Sequence, residues 1–364
     1  MAFSFGFAGD DIDIDDSEND SGIPDVVVHN GSAKPLPELV KASQHDMNEL
    51  LSLLPSQIFY NRLPISETPI VIARREIIDI RTQLMAEDSA EHDNAELIAG
   101  LEEGDLKPHF YEGGFKTWEC ALDLAKLVAS ESAIAESLGN LQTNVHIIEL
   151  GAGTAVPSLA LFAHILGQTE SAGDAPQRKA HFTFADYNDA VLRLVTLPNL
   201  LLTWWNCRSL ATSEAVEEVT PEEELDITPE LVDDFKNDLA RRGISIDFIS
   251  GAWSPKFVDF VFSTRYGGDY KTLVMASETI YSPASLTAFS ETLLELLRRS
   301  NIDSARSRAL IAAKKVYFGV GGGVDEFLAV LQNVGADELE VQHKMDVQSE
   351  GVGRVVLEIS PAAK

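Results

Sequence analysis

Only two cysteines, Cys120 and Cys207, occur in 364 residues. Two thiols can neither frame a disulfide-stapled fold nor complete a zinc cluster, so the chain relies on its core and suits a reducing compartment. Long apolar runs are missing too, which excludes a membrane span, and Met1 to Phe7 lack the basic region and apolar core of a secretory signal. Basic residues are scarce. Against 58 Asp and Glu stand 28 Lys and Arg, a formal net charge of -30. Such a surface repels phosphate backbones, excluding direct nucleic-acid binding, and steers basic proteins inward over long range. The expectation is a monomer of cytoplasm and nucleus, off the membrane, with a basic protein as partner.

One local absence matters more. The stretch His146-Ile147-Ile148-Glu149-Leu150-Gly151-Ala152-Gly153-Thr154-Ala155-Val156-Pro157 reads as strand, tight loop and helix, the opening of a nucleotide-binding α/β unit. A dinucleotide fingerprint needs a third glycine three residues after the second, and Val156 stands there instead. Glu149 also puts negative charge where a pyrophosphate would come. An acid at that place suits a ligand with an amino group and a sulfonium, which describes S-adenosylmethionine. Glu149, Gly151 and Gly153 are therefore candidate cofactor contacts, although the loop alone is weak evidence, since glycines at such a turn can be purely structural.

Along the chain, the acidic run Asp10 to Asp20 cannot build a core, so residues 1–34 read as a disordered tail behind the alternation Phe3, Phe5, Phe7. Residues 35–110 read as a docking segment: a helix over Pro35 to Leu54, an extended stretch Pro69 to Ala73, then a loose acidic linker from Ala86 to Glu103. From 111 onward the pattern is α/β. Apolar positions from Trp118 to Leu127 give a helix before the first strand. His181 to Asp186 is the second strand, ending in an acid placed for ribose hydroxyls, and a helical stretch follows that Pro198 should bend. The acidic stretch Ser213 to Asp234 reads as a solvated loop. Strands follow at Asp247 to Ser250, Lys271 to Ala276 and Arg308 to Val316. Leu339 to Met345 and Gly353 to Ile359 close the chain as a hairpin, hence one antiparallel strand at the sheet's end.

Six stretches, Phe115-Lys116-Thr117-Trp118-Glu119-Cys120, Glu149-Leu150-Gly151-Ala152-Gly153, Asp186-Tyr187-Asn188, Gly251-Ala252-Trp253, Ser277-Glu278-Thr279-Ile280-Tyr281 and Tyr317-Phe318-Gly319-Val320-Gly321-Gly322-Gly323, closely resemble the eukaryotic protein-histidine N-methyltransferase family. The resemblance spans about Gly113 to Ile359, and the phenylalanine-rich, then acidic N-terminus is similar to that of fungal members. It implies a Rossmann-like, seven-stranded class I methyltransferase sheet over 111–364. It also implies S-adenosylmethionine as methyl donor and, as substrate, the tele ring nitrogen of one histidine in a large-subunit ribosomal protein. By the resemblance, cofactor contacts fall on Thr117, Trp118, Glu119, Cys120, Ala121, Gly151, Asp186, Tyr187, Asn188, Gly251, Ala252, Trp253 and Ser277. Ala152 departs from members with cysteine there.

Methyl transfer from a sulfonium asks the protein for positioning and charge placement. A neutral imidazole is nucleophilic unaided, so what is needed is an acceptor for its other N–H. Glu278 and Tyr281, at the C-terminal edge of the fourth strand, are the catalytic candidates; no metal is called for. Two rivals remain open: a protein-lysine methyltransferase of the same fold, and a non-catalytic acidic chaperone for a basic ribosomal protein.

Overall fold

The computed structural model describes residues 39–87, 94–102, 113–130, 138, 143–168, 179–212, 223–263, 270–300, 307–335, 338–348 and 351–362. The tail 1–34 lies outside them. Among the described residues the strands are β1 (Ser43–His45), β2 (Gln57–Pro64), β3 (Val71–Arg75), β4 (Asn144–Leu150), β5 (Ala180–Asp186), β6 (Glu223–Asp226), β7 (Ile244–Ser250), β8 (Tyr270–Ser277), β9 (Arg308–Lys314), β10 (Leu339–Val347) and β11 (Arg354–Pro361).

β4 and β5 are apolar and buried almost throughout, as strands covered on both faces must be. They pair in parallel with each other and with β7 and β8, and β9 joins β8 in parallel. β11 runs antiparallel between β9 and β10. The large sheet has the order β1-β7-β5-β4-β8-β9-β11-β10. Seven of these strands make the expected sheet with its antiparallel terminal hairpin.

The eighth is a correction. Residues 35–54 were expected to dock as a helix; instead β1 pairs antiparallel with the edge of β7, Ser43 opposite Ser250 and His45 opposite Phe248. An open edge strand offers unpaired amides and carbonyls, and three residues suffice to cover them. The helical spacing belongs to the short helix Met47–Ser52, started by the Asp46 side chain, which accepts from the Asn48 and Glu49 amides. The linker expected at 86–103 also differs, since helices Ile77–Glu87 and Ala95–Glu102 occupy its described part.

The acidic stretch 213–234 is likewise not simply a loop. Its described part holds β6, which completes a second sheet, β3-β2-β6. Leu225 is buried there, and Glu223 pairs with Arg62 at 2.9 Å and accepts from the Tyr60 hydroxyl at 2.9 Å. Counting charges along the chain could not reveal those cross-strand partners.

Pro198 acts as expected, by a specific route. It has no N–H for the Leu194 carbonyl four residues back. A π-helical turn over Leu192–Thr196 precedes helix Leu197–Thr212, and Arg75 Nη1 donates to the Leu194 carbonyl at 3.0 Å.

Candidate active site

The loop after β4 turns through left-handed backbone at Gly151 (φ 63°), Gly153 (φ 50°) and Ala155 (φ 58°), the last opening helix Val156–Gly167. A Cβ on Gly153 would stand 3.2 Å from the Gly114 Cα, so the Gly113–Gly114 pair crosses the loop at backbone contact. The loop's carbonyls are held from below: Thr196 Oγ1 donates to Gly153 O at 2.8 Å, and Asn199 Nδ2 to Thr154 O at 3.0 Å. Asp186, ending β5, accepts from the Gly153 amide at 3.0 Å and the Asn188 amide at 3.2 Å.

Glu149 is almost fully buried beneath the loop. One oxygen accepts from the Ser158 amide at 3.0 Å; the other, Oε1, has no partner. Burial pushes its pKa up to about 8, with Asp186 adding to the rise and hydrogen bonds from Ser158 opposing it. The folded value lies above the ordinary 4.5. The neutral acid's contribution to stability is therefore complete below that ordinary value and is lost as pH rises through about 8. Glu149→Gln should melt with the wild type in mild acid and increasingly above it in alkali, as thermal denaturation across pH will show. A lack of any pH-dependent gap between the two would contradict this burial.

Past β8, Glu278 takes left-handed backbone (φ 58°), its amide donating to Ala312 O at 3.0 Å. For a residue with a Cβ this costs on the order of 1 kcal/mol. Its side chain is 9% exposed. Around the carboxylate stand the Cys120 thiol and the Tyr317 hydroxyl; burial first, and Glu278's charge second, push both pKa values up, so both remain protonated donors. Lys314 Nζ lies 3.7 Å from Glu278 Oε1 and 3.1 Å from Glu119. Burial works against its charge, but Glu278 and Glu119 outweigh that and hold its pKa above the ordinary value. Glu278 Oε1 and Thr279 Oγ1 nonetheless have no hydrogen-bond partner. Three buried oxygens without a hydrogen bond, counting Glu149 Oε1, thus lie at the ends of β4 and β8, where a polar ligand could donate to them.

The remaining candidates fall around this edge. Thr117 hydrogen-bonds Thr154, hydroxyl to hydroxyl, at 3.1 Å. Trp118 is the N-cap of helix Glu119–Val128, which carries Glu119, Cys120 and Ala121. Lys314 Nζ sits 5.2 Å over the Trp118 ring. Gly251 (φ 104°) follows β7 and donates to the Asp186 and Tyr187 carbonyls. Ala252 donates to Val40 O at 2.9 Å, and Val40 N donates to the Tyr187 hydroxyl at 3.3 Å. Trp253 packs edge-on against Phe257. Ser277 ends β8 opposite Ala312. Tyr281 lies 6.4 Å from Tyr317, and its carbonyl accepts from Gly322, where a side chain would collide with it. Phe318, in the turn before the glycines of 319–323, is exposed.

Sequence reasoning missed Lys314 and the strap Val40–Ala42 as parts of this edge, and quoted Tyr317 in a motif without giving it a role. Lys314 ends a strand on the binding side, so the strand-end rule could have found it. A cavity elsewhere, lined by Trp204, Cys207, Arg208, Asp238 and Arg242, has its arginines paired with Asp234 and Asp238. Among the described residues no His, Cys, Asp and Glu cluster could hold a metal ion, and no helix is long and apolar enough to cross a membrane.

The strand order, the acids ending β4 and β5 and the two-glycine loop define a class I methyltransferase with S-adenosylmethionine as its methyl donor. No protein-family model matches the chain. It is 30% identical over 387 residues to Histidine protein methyltransferase 1 of Saccharomyces cerevisiae, covering 98% of each chain. To the protein of that name in Schizosaccharomyces pombe it is 33% identical over 357 residues, 98% of this chain and 92% of the relative. The chain belongs to the histidine protein methyltransferase 1 family. The Rattus norvegicus homolog is 32% identical over 256 residues, 70% of this chain and 59% of the relative. Among solved structures, magnesium protoporphyrin IX methyltransferase from Synechocystis with bound SAM matches remotely, with TM-score 0.32 and 12% identity over 68% of this chain and 86% of that one.

Proposed function

We propose that this protein-histidine N-methyltransferase methylates the tele ring nitrogen of a histidine in a large-subunit ribosomal protein. The observation that carries the reading is the buried Glu278 Oε1 at the end of β8, which accepts no hydrogen bond and has the Lys314 ammonium 3.7 Å away. The bound cofactor supplies an electrophilic methyl group on a sulfonium. Glu278 accepts the N–H of the ring nitrogen nearer the backbone, which leaves the tele lone pair free to attack. As the new N–C bond forms and the S–C bond breaks, positive charge moves onto the imidazole beside the carboxylate. The ring proton goes to solvent on release. Cys120 and Tyr317 orient Glu278, while Lys314 ties it to Glu119.

The net charge of -30 favours a basic partner; a monomeric enzyme of cytoplasm and nucleus belongs to the same proposal. Exposed charges act over about 8 Å at physiological salt. Raising ionic strength should therefore lower kcat/KM for a basic protein substrate and leave a short neutral peptide with the same histidine nearly unchanged. Equal salt dependence for both would leave the charge a solubility role only. The substrate itself is tested with large-subunit ribosomal proteins from cells lacking the enzyme: one should gain a methyl group, and lose that gain when its target histidine is replaced. No gain in any of them would overturn the ribosomal reading.

A further inference from the structure

Arg74, on β3 of the second sheet, stands out among its neighbours because no carboxylate touches its guanidinium. Arg62 pairs with Glu223 at 2.9 Å and Arg75 with Asp79 at 2.6 Å. Opposite Arg74 on β2 stands Asn61, which donates to Glu76 at 2.6 Å. Arg74 itself uses Nε to reach Asn61 Oδ1 at 3.1 Å and Nη1 to reach Thr117 Oγ1 at 2.8 Å. Among the described residues it forms no ion pair, and its Nη2 makes no hydrogen bond. Burial lowers its pKa, and the charge of Glu76, which reaches Arg74 through the Asn61 amide, opposes that without outweighing it. A partly desolvated guanidinium in direct contact with no carboxylate is costly, and a ligand carboxylate would offset that cost.

Its position says which ligand group that is. Asp186, Tyr187 and Gly251 lie on the β5–β7 side of the glycine loop, where ribose and base bind in such sheets. The amino-acid end of the cofactor then lies on the opposite side, toward Thr117 and Trp118. Arg74 is bonded to Thr117, and Thr117 to Thr154 beyond the second glycine. We propose that Arg74 binds the α-carboxylate of S-adenosylmethionine, an assignment that rests on the cofactor reading of this site. The guanidinium's fork matches a carboxylate, and the cofactor's amino group is left for the free Glu149 Oε1. The second sheet then has a task in the site: it carries a cation to the Thr117 side of the cleft, where Lys314 is already engaged by Glu119 and Glu278.

The test compares two ligands by calorimetry on the full chain: S-adenosylhomocysteine, which has the amino-acid group, and 5′-methylthioadenosine, which lacks it. Arg74→Met should weaken S-adenosylhomocysteine roughly tenfold to a hundredfold and change 5′-methylthioadenosine less than about twofold. Arg74→Lys, which keeps the charge without the fork, should fall between and serves if the methionine variant melts early. Equal weakening of both ligands would reduce Arg74 to a structural role and overturn the assignment, as would unchanged affinity for S-adenosylhomocysteine. If the wild type bound neither ligand, the cofactor reading would fall and the assignment with it.

Discussion

Glu278→Gln is expected to lower kcat by about two to three orders of magnitude while leaving affinity for S-adenosylmethionine within about threefold. Glutamine has nearly the same shape and keeps the left-handed backbone at 278, so the loop after β8 should hold its place. What goes is the negative charge beside an imidazole that turns positive only as the methyl arrives. An interaction made only in the transition state appears in kcat rather than in binding. The amide also brings donors toward Cys120 and Tyr317, which already donate to this position, so the side chain should settle less well. Single-turnover kinetics with saturating cofactor would separate the chemical step from product release. A glutamine variant with wild-type kcat would remove Glu278 from the chemistry.

Asp186→Ala should weaken cofactor binding by roughly a hundredfold or more, as expected for two charge-assisted hydrogen bonds to the ribose at about 1.5–3 kcal/mol each. The geometry adds a second consequence. Asp186 also accepts from the Gly153 and Asn188 amides, so alanine releases the glycine loop as well as the ligand. Asp186→Asn separates the two, since it keeps an acceptor for one amide while losing the charge. Both variants should unfold cooperatively, because β5 remains packed between β4 and β7. Calorimetric titration decides it: unchanged affinity in the alanine variant would take Asp186 out of the site.

The parts of the fold that could be read in the sequence are those whose cause is local. Glu149 to Val156 holds strand end, turn glycines and helix start within a few residues, and β5, β7, β8 and β9 carry apolar runs that declare themselves. β1 and β6 could not be read this way, because three- and four-residue strands exist only through distant partners: His45 through Phe248, Glu223 through Tyr60. The same holds in the candidate site. Glu278 and Tyr281 could be named from the strand-end rule, but nothing in the sequence marks Glu278 for left-handed backbone. The groups around it, Cys120, Lys314 and Tyr317, come from a helix, a strand and a loop that only the sheet brings together. Arg74 was invisible for the same reason, since one arginine beside another says nothing of which will find a carboxylate.

The most direct measurement is amino-acid analysis of a basic protein substrate after incubation with the enzyme and methyl-labelled S-adenosylmethionine. The label should elute as tele-methylhistidine, should vanish when the target histidine is replaced, and should drop by about two orders of magnitude with Glu278→Gln. Label recovered as methyllysine would assign the site of Trp118, Tyr281 and Tyr317 to an amine and contradict the account.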